Sequence, residues 1–294
     1  MAERVGSAPG TLFCFGLGYS AGFLARALQA EGWRVLGTFR DAASEARLQG
    51  EGFETHRFER AHPLDDAPAL LAAATHVLSS IPPDASGDPV LDLHGADIAC
   101  ASSKWIGYLS TTGVYGDRRG GWVDEDAALE PTGERGRRRV AAERCWLDLH
   151  RRNGRPVHVF RLAGIYGPGR SALDALRAAR AQRVDKPGQV FSRIHVADIV
   201  QALRASMTDP DPGAVYNLCD DDPAPPAEVI AYAAELLGLP PPPLVPFASA
   251  TLSEMARSFY ADNKRVSNRR MKEALGVRLI YPSYRDGLTA LSKG

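Results

Sequence analysis

Apolar residues along this chain follow two alternating rhythms. Short, largely apolar runs occupy Leu12 to Phe15, Trp33 to Phe39, Thr75 to Ile81, Trp105 to Thr111 and Pro156 to Leu162, and Phe53 to Phe58 is a more polar stretch bounded by phenylalanines. Runs of this length with little polar alternation predict strands covered on both faces. Between them, Phe23, Leu24, Ala27 and Leu28 repeat at helical spacing. Ala67 to Ala73, Leu91 to Cys100 and Arg135 to Asn153 fit further helices, the last stopping at Asn153-Gly154. Regular alternation of strand and helix predicts an α/β fold with a doubly wound parallel sheet, whose ligands bind beyond the carboxyl ends of the strands.

The first strand breaks into Gly16-Leu17-Gly18-Tyr19-Ser20-Ala21 and then becomes helical. Glycine at 16 permits a tight turn, Gly18 lets backbone approach a pyrophosphate, and Ala21 is small enough for close helix packing. The new helix offers free N–H groups around Tyr19 and Ser20 to an anion. About 20 residues further on, a dinucleotide site places an acid for a ribose hydroxyl or an arginine for a 2'-phosphate. Phe39 and Arg40 stand there, which favours NADP over NAD; the alternatives are that Arg40 starts a solvated helix or pairs with Asp41. Ser80, Ile81 and Pro82 end the fourth strand, as a ligand edge or as a plain Pro-Pro turn.

Composition narrows the function classes. The 294 residues carry 35 basic and 35 acidic side chains, 45% are apolar and 24% charged, so no global field recruits nucleic acid or anionic membrane. No window reaches the roughly 18 apolar residues of a membrane span, and residues 1–10 read as a loose leader, so a cytoplasmic protein is expected. Cys14, Cys100, Cys145 and Cys219 are scattered without metal spacing, and reduced thiols and no metal are expected. Asp220-Asp221-Asp222 lacks calcium-loop spacing and reads as a solvated turn.

Ser110-Thr111-Thr112-Gly113-Val114-Tyr115-Gly116 resembles the S-S/T-x-x-V-Y-G stretch of extended short-chain dehydrogenase/reductases, the group of nucleotide-sugar epimerases and dehydratases. Gly16-x-Gly18-x-x-Ala21, Gly37-Thr38-Phe39-Arg40-Asp41, Arg161-x-x-x-Ile165-Tyr166-Gly167-Pro168-Gly169, Arg193-Ile194-His195-Val196-x-Asp198-Ile199 and Val215-Tyr216-Asn217-Leu218 follow in family order. The resemblance implies a Rossmann domain over 11–165 and a smaller C-terminal substrate-capping region over 166–294, with about 190–219 returning to the Rossmann domain. It also implies a small-molecule substrate and a homodimer. In the family, a Tyr-x-x-x-Lys pair supplies acid or base and a ribose contact. Here the matching register holds Arg135 and Arg139, while Gly136 and Glu143 keep their spacing.

Arginine stays protonated at neutral pH, so Arg135 can bind substrate but cannot exchange a proton. Arg139 can keep the ribose contact; alternatively both lie on a solvated basic face pairing with Glu134 and Glu143. The resemblance makes Thr111 a catalytic hydrogen-bonding group and places Ser110, Leu162 and Gly164 against the cofactor. Tyr115 is the first candidate for a replacement acid, provided that its pKa is lowered, with a wall-packing role as the alternative; Tyr166 is a weaker one at the mouth of the substrate site. Arg193 is a candidate anion contact, and His195 is expected to be structural or to cap a helix. Lys264 and Arg265 either face an anionic substrate or lie on the surface. Ser267 and Gly276 are expected to start and stop the helix between them. Two readings result: an NADP-dependent oxidoreductase or epimerase-like enzyme acting on a small polar carbonyl, alcohol or sugar derivative, and a catalytically inactive NADP(H)-binding sensor or partner protein.

Overall fold

Parallel neighbours need connections that cross a sheet face, and the helical stretches of this chain supply them. In the computed structural model, which describes residues 9–293, the strands are β1 (Thr11–Phe15), β2 (Arg34–Phe39), β3 (Glu54–Arg57), β4 (His76–Ser79), β5 (Trp105–Thr111), β6 (Val157–Leu162) and β7 (Val215–Leu218). The helices between them are α1 (Tyr19–Gln29), α2 (Ala42–Gly50), α3 (Ala67–Ala73), α4 (Pro89–Cys100), α5 (Glu134–Asn153) and α6 (Val196–Thr208). The strands form one parallel sheet in the order β7-β6-β5-β4-β1-β2-β3. This is the doubly wound Rossmann arrangement, and its order reverses at β1, where such folds bind ligands. The leader expected over residues 1–10 lies outside the described residues except for Pro9 and Gly10.

The chain divides into two compact units. The first comprises the chain up to Ser110 together with Ala141–Phe160 and Leu203–Val215; the second comprises Thr111–Val140, Arg161–Ala202 and the chain from Tyr216 onward. In the first unit, Leu12, Phe13, Cys14 and Phe15 are fully buried, as a strand covered on both faces requires. Phe13 and Phe15 join a core with Phe58, Tyr108 and Trp146. Trp146 of α5 stacks on Tyr108 at 5.4 Å, and its indole N–H donates to Asp88 Oδ2 at 2.9 Å. The other oxygen of Asp88 caps α4 by accepting from the Val90 and Leu91 amides. One carboxylate thus closes a helix end and satisfies a buried indole.

The second unit is built from short ribbons: Gly164–Tyr166 with Arg193–His195, Arg183–Asp185 with Leu244–Pro246, and Trp122–Val123 with Arg265–Val266, all parallel. Tyr166, Leu173, Val229, Ala233, Tyr284 and Leu288 form a core of its own. A short helix spans Ala172–Arg177 and stops because Ala179 turns at φ +53° and the chain enters the Arg183–Asp185 ribbon. The helix after Ser267 spans Arg269–Ala274. Asn268 is its N-cap without a side-chain bond, while Ser267 Oγ accepts from the Arg269 amide at 3.3 Å. Gly276 follows at φ +64°, the left-handed conformation a helix stop uses. A last helix, Tyr284–Ser292, starts with a capping box between Ser283 and Asp286. Among the described residues no helix is long and apolar enough to cross a membrane.

The register of β1 against β2 sets Cys14 opposite Gly37. A Cβ added to Gly37 would lie 2.0 Å from Leu17 Cδ1, so the leucine of the Gly16-Leu17-Gly18 turn occupies the space that a side chain at 37 would fill. Gly37→Ala is expected to destabilise the protein by about 1–3 kcal/mol, the usual cost of overpacking a tight site, measured as a fall in the urea midpoint at constant m. An unchanged midpoint would mean that Leu17 has room to move.

Candidate functional site

In the first unit the glycine turn is held from two strands. Gly16 adopts φ +83°. Its amide donates to Thr38 Oγ1 of β2 at 2.8 Å, and its carbonyl accepts from Ser80 Oγ, just past β4, at 2.5 Å. The Ser80 amide also donates to Phe15 O at 2.9 Å. A Cβ on Gly16 would come within 2.9 Å of Ile81 Cγ1, so only glycine meets both the dihedral and the space. Gly18 differs: it is exposed, and among the described residues a Cβ there would meet nothing within 4 Å. It is the N-cap of α1 and makes no side-chain cap bond, and α1 has no acid in its first turn. Ser20 and Ala21 are buried behind it and Tyr19 is half-buried. The start of α1 therefore combines free backbone donors, the positive end of the helix dipole and open space, a fit for a pyrophosphate.

At the end of β2, Arg40 is exposed, with no hydrogen bond or ion pair among the described residues. Asp41 is occupied elsewhere. It caps α2 by accepting from the Ser44 amide at 2.8 Å, and that bond is the main cause of its lowered pKa. Ile81 is half-buried and Pro82 exposed beside the turn. Ser110, at the end of β5, is buried and donates to the buried Glu143 of α5 at 2.5 Å. Glu143 lies four residues past Arg139 on α5. Glu134 pairs with Arg137 and Arg138.

In the second unit, Thr111 caps the short turn Thr112–Tyr115, its Oγ1 accepting from the Gly113 amide at 3.1 Å. This leaves the hydroxyl proton of the half-buried Thr111 available to an acceptor. Gly136 packs against the same turn: a Cβ there would lie 2.9 Å from Gly113 O and 2.6 Å from Pro131 Cβ. Arg135 therefore departs from α5 one residue from that contact. It is exposed, with its guanidinium 5.8 Å from the centre of the Phe259 ring. Arg139 is half-buried on the same helix.

Tyr115 departs from the role of a replacement acid. Its ring is fully buried, its hydroxyl donates to Asn217 Oδ1 at 2.7 Å and accepts from Arg161 Nη1 at 2.8 Å, and Arg161 lies 5.0 Å over the ring. Burial pushes its pKa up to about 12 against the pull of Arg161, the reverse of what a proton donor at neutral pH requires. The network continues through Arg161 Nη1 to Glu125 O at 3.2 Å, and from the Asn217 amide to Glu125 Oε1 at 2.8 Å. Burial raises the Glu125 carboxyl above its usual range. Tyr166 is buried, donates to Ser283 O at 3.3 Å, and burial pushes its phenol upward too. His195 Nδ1 accepts from the Ala197 amide at 3.1 Å and so caps α6. Leu162 is buried and Gly164 exposed. Arg193 donates to Phe191 O and Ala224 O.

Two further expectations change. Asp220 is not solvated: it is 1% exposed, in contrast to exposed Asp221. Lys264 donates to Gly116 O at 2.8 Å and pairs with Asp262, and Arg265 donates to Gly120 O, so both brace the loop after the Val114-Tyr115-Gly116 turn. The sequence reading also passed over a Tyr-x-x-x-Lys spacing at Tyr260 and Lys264. It lies past the end of the helix Glu254–Phe259, and side chains four apart share a face only within a helix. Arg161 and Asn217 were legible as polar residues inside apolar strands; Glu125 left no comparable signal.

A family model described as the NAD dependent epimerase/dehydratase family matches residues 97–219. Protein YeeZ of Escherichia coli K12 is 33% identical over 240 residues, covering 77% of this chain and 84% of that protein. A solved structure of a conserved protein of unknown function from Silicibacter pomeroyi superposes with a TM-score of 0.87 at 55% identity, covering 97% of this chain and 98% of the other. UDP-glucuronic acid 4-epimerase from Bacillus cereus, solved with NAD, shares the fold with a TM-score of 0.77 at 17% identity, covering 96% of each chain.

The Tyr115 network gives a direct stability test. Tyr115→Phe strips partners from the Asn217 side-chain oxygen and from a guanidinium N–H, both buried, and is expected to cost about 1–3 kcal/mol. Equilibrium denaturation checks it; a loss below about 0.5 kcal/mol would show that water takes over these bonds.

Proposed function

Because this chain belongs to the NAD dependent epimerase/dehydratase family, we propose that it is an NADP(H)-dependent oxidoreductase or epimerase-like enzyme acting on a small polar carbonyl, alcohol or sugar derivative. The observation that carries the proposal is the uncapped start of α1, with open space over Gly18 and no acid in its first turn. Bound NADP(H) supplies or accepts a hydride.

The chain supplies binding and orientation. Backbone donors of Gly18, Tyr19, Ser20 and Ala21 face the pyrophosphate, while Gly16 is fully engaged in holding the turn. Arg40 supplies the charge for a 2'-phosphate, while the Asp41 carboxylate caps α2 and still feels the Arg40 charge. Ser80, Ile81 and Pro82 border the same turn. Family membership supports assigning Ser110, Arg139, Leu162 and Gly164 to the nicotinamide end and Tyr166 to the substrate side. Thr111 donates its hydroxyl to the substrate oxygen, and Tyr115 keeps the turn that carries Thr111 in place. Arg135 and Arg193 hold negative charge on the substrate.

A second reading, an NADP(H)-binding sensor without catalysis, draws on Arg135 and Arg139 at the register of the family's tyrosine and lysine. Turnover of the cofactor with a panel of carbonyl compounds separates the two readings.

Calorimetric titration is expected to show NADPH binding tighter than NADH by tenfold or more. Arg40→Ala should weaken NADPH by about tenfold to a hundredfold, the range of one charge-assisted hydrogen bond, with little effect on NADH. Equal losses for both cofactors would remove Arg40 from 2'-phosphate recognition, and no binding of either would overturn the proposal.

A further inference from the structure

Arg193 and His195 leave the same face of their strand, because side chains two apart in a strand share a face. The paired strand sets Gly164 beside Arg193 and Tyr166 beside His195. Three buried polar atoms in this region have no hydrogen-bond partner among the described residues: Asp220 Oδ2, His195 Nε2 and Tyr284 Oη. Their residues are 1%, 4% and 1% exposed. Two of them sit within reach of the Arg193 charge: Asp220 and Tyr284 both act on it, the Asp220 amide donates to Arg193 O at 2.6 Å, and the guanidinium lies 6.0 Å from the centre of the Tyr284 ring. His195 is two residues along the strand, on the same face as Arg193. Folded proteins pair nearly all buried polar atoms, so orphans gathered around the strand of Arg193 mark a place built to receive a polar group.

The hydrogen-bonding roles say which group. His195 Nδ1 accepts from the Ala197 amide, which assigns the proton of the neutral ring to Nε2, a donor. Tyr284 carries a hydroxyl donor. Arg193 spends Nη1 on the Phe191 and Ala224 carbonyls and retains Nε and Nη2. Asp220 Oδ1 accepts from the Asp222 amide at 3.3 Å, and no donor reaches Oδ2. We infer that Arg193, with the unpartnered side chains of Asp220, His195 and Tyr284, forms a binding site for the oxyanion of a small molecule, a carboxylate or a phosphate group.

Burial pushes the Asp220 carboxyl up to about 8 against the pull of Arg193. Near neutrality it is therefore a donor and the Arg193 charge stands uncancelled; above pH 8 it becomes an anion that repels the ligand. The neighbouring groups do not mimic this titration. Burial raises Tyr166, Tyr260, Tyr284 and Cys219, which stay neutral, and depresses His195 to about 4, so it too is neutral. Asp198 accepts from the Ile280 and Tyr281 amides. Asp222 acts on Arg193, while Asp286 acts on Tyr166 and Glu228 and Arg285 act on Tyr284.

The inference deepens the reading of Arg193 as a substrate contact and rests on it for the ligand's role, but binding is measurable without cofactor. Sodium sulfate and sodium acetate, whose charges are fixed above pH 6, are titrated calorimetrically into the cofactor-free full chain from pH 6.5 to 9.5. Saturable binding of at least one is expected at the acid end. It should weaken by about tenfold per pH unit above pH 8, because only the protonated site accepts the anion. Preference for acetate marks a carboxylate ligand, and preference for sulfate a phosphate. Asp220→Asn should bind with no pH dependence in this range. Arg193→Met should abolish binding, and Arg193→Lys should retain it in part.

Absence of saturable binding to the folded wild-type chain at pH 6.5, or a pH dependence that survives in Asp220→Asn, overturns the inference. Should that variant fail to fold, the infrared band of a protonated carboxyl in the wild type must titrate near pH 8, and its absence overturns the inference equally. A chain that binds sulfate but no NADPH refutes the cofactor reading and leaves this one intact.

Discussion

The organisation of the first unit depends on how Gly16 is held. A residue at φ +83° between a buried strand and a helix keeps its place only if its neighbours fix it. Thr38 and Ser80 do so from β2 and β4, one binding the amide and the other the carbonyl. Strands flanking β1 thus determine where α1 begins. Because both polar groups of Gly16 are spent on the protein, the donors left for a ligand start at Gly18, where the added space lies. Leu17 between them fills the gap over Gly37. Gly16 and Gly37 thus have steric reasons while Gly18 leaves its space open, and together they give a cradle at the switch point of the sheet.

The second unit solves a different problem, the burial of charge. Arg161 is 4% exposed and Glu125 9% exposed, and the Glu125 carboxylate also lies 3.8 Å from the Arg270 guanidinium. Tyr115 and Asn217 stand between them as neutral adaptors, so the guanidinium donates to a phenol and a carbonyl and the carboxylate accepts from an amide. A network of this kind rigidifies only if every member is satisfied. That requirement accounts for a tyrosine at 115 without invoking chemistry, and it fixes the turn that begins at Thr111. The Arg193 region is the opposite case, because polar atoms of equal burial are left over there.

Much of the architecture was legible because it rests on local rules. β5 and α3 begin and end where the apolar rhythm places them, and the long α5 differs by one residue at its start. The glycine turn was legible because each small residue answers one steric demand. The second unit was less so: its ribbons are two or three residues long, too short for a periodic signal, and their pairing partners lie far away in sequence. The final helix carried a readable capping box that the apolar pattern alone did not reveal. Asp220 misled for a physical reason. Three consecutive aspartates read as solvated by composition, yet β7 ends one residue short of them, and after the buried Cys219 the first stays in the interior while Asp221 reaches solvent.

The register of α5 bears on what chemistry the fold can support. Gly136 is pressed against Gly113 and Pro131, which sets where Arg135 leaves the helix. What stands there is a permanent cation. An arginine attracts and orients a negative group but moves no proton at neutral pH. The phenols nearest in the chain's motifs, Tyr115 and Tyr166, are both made weaker acids by burial. The Asp220 carboxyl is moved by burial in the other direction from an ordinary surface acid, up to about 8 against the pull of Arg193, which brings it near the neutral range.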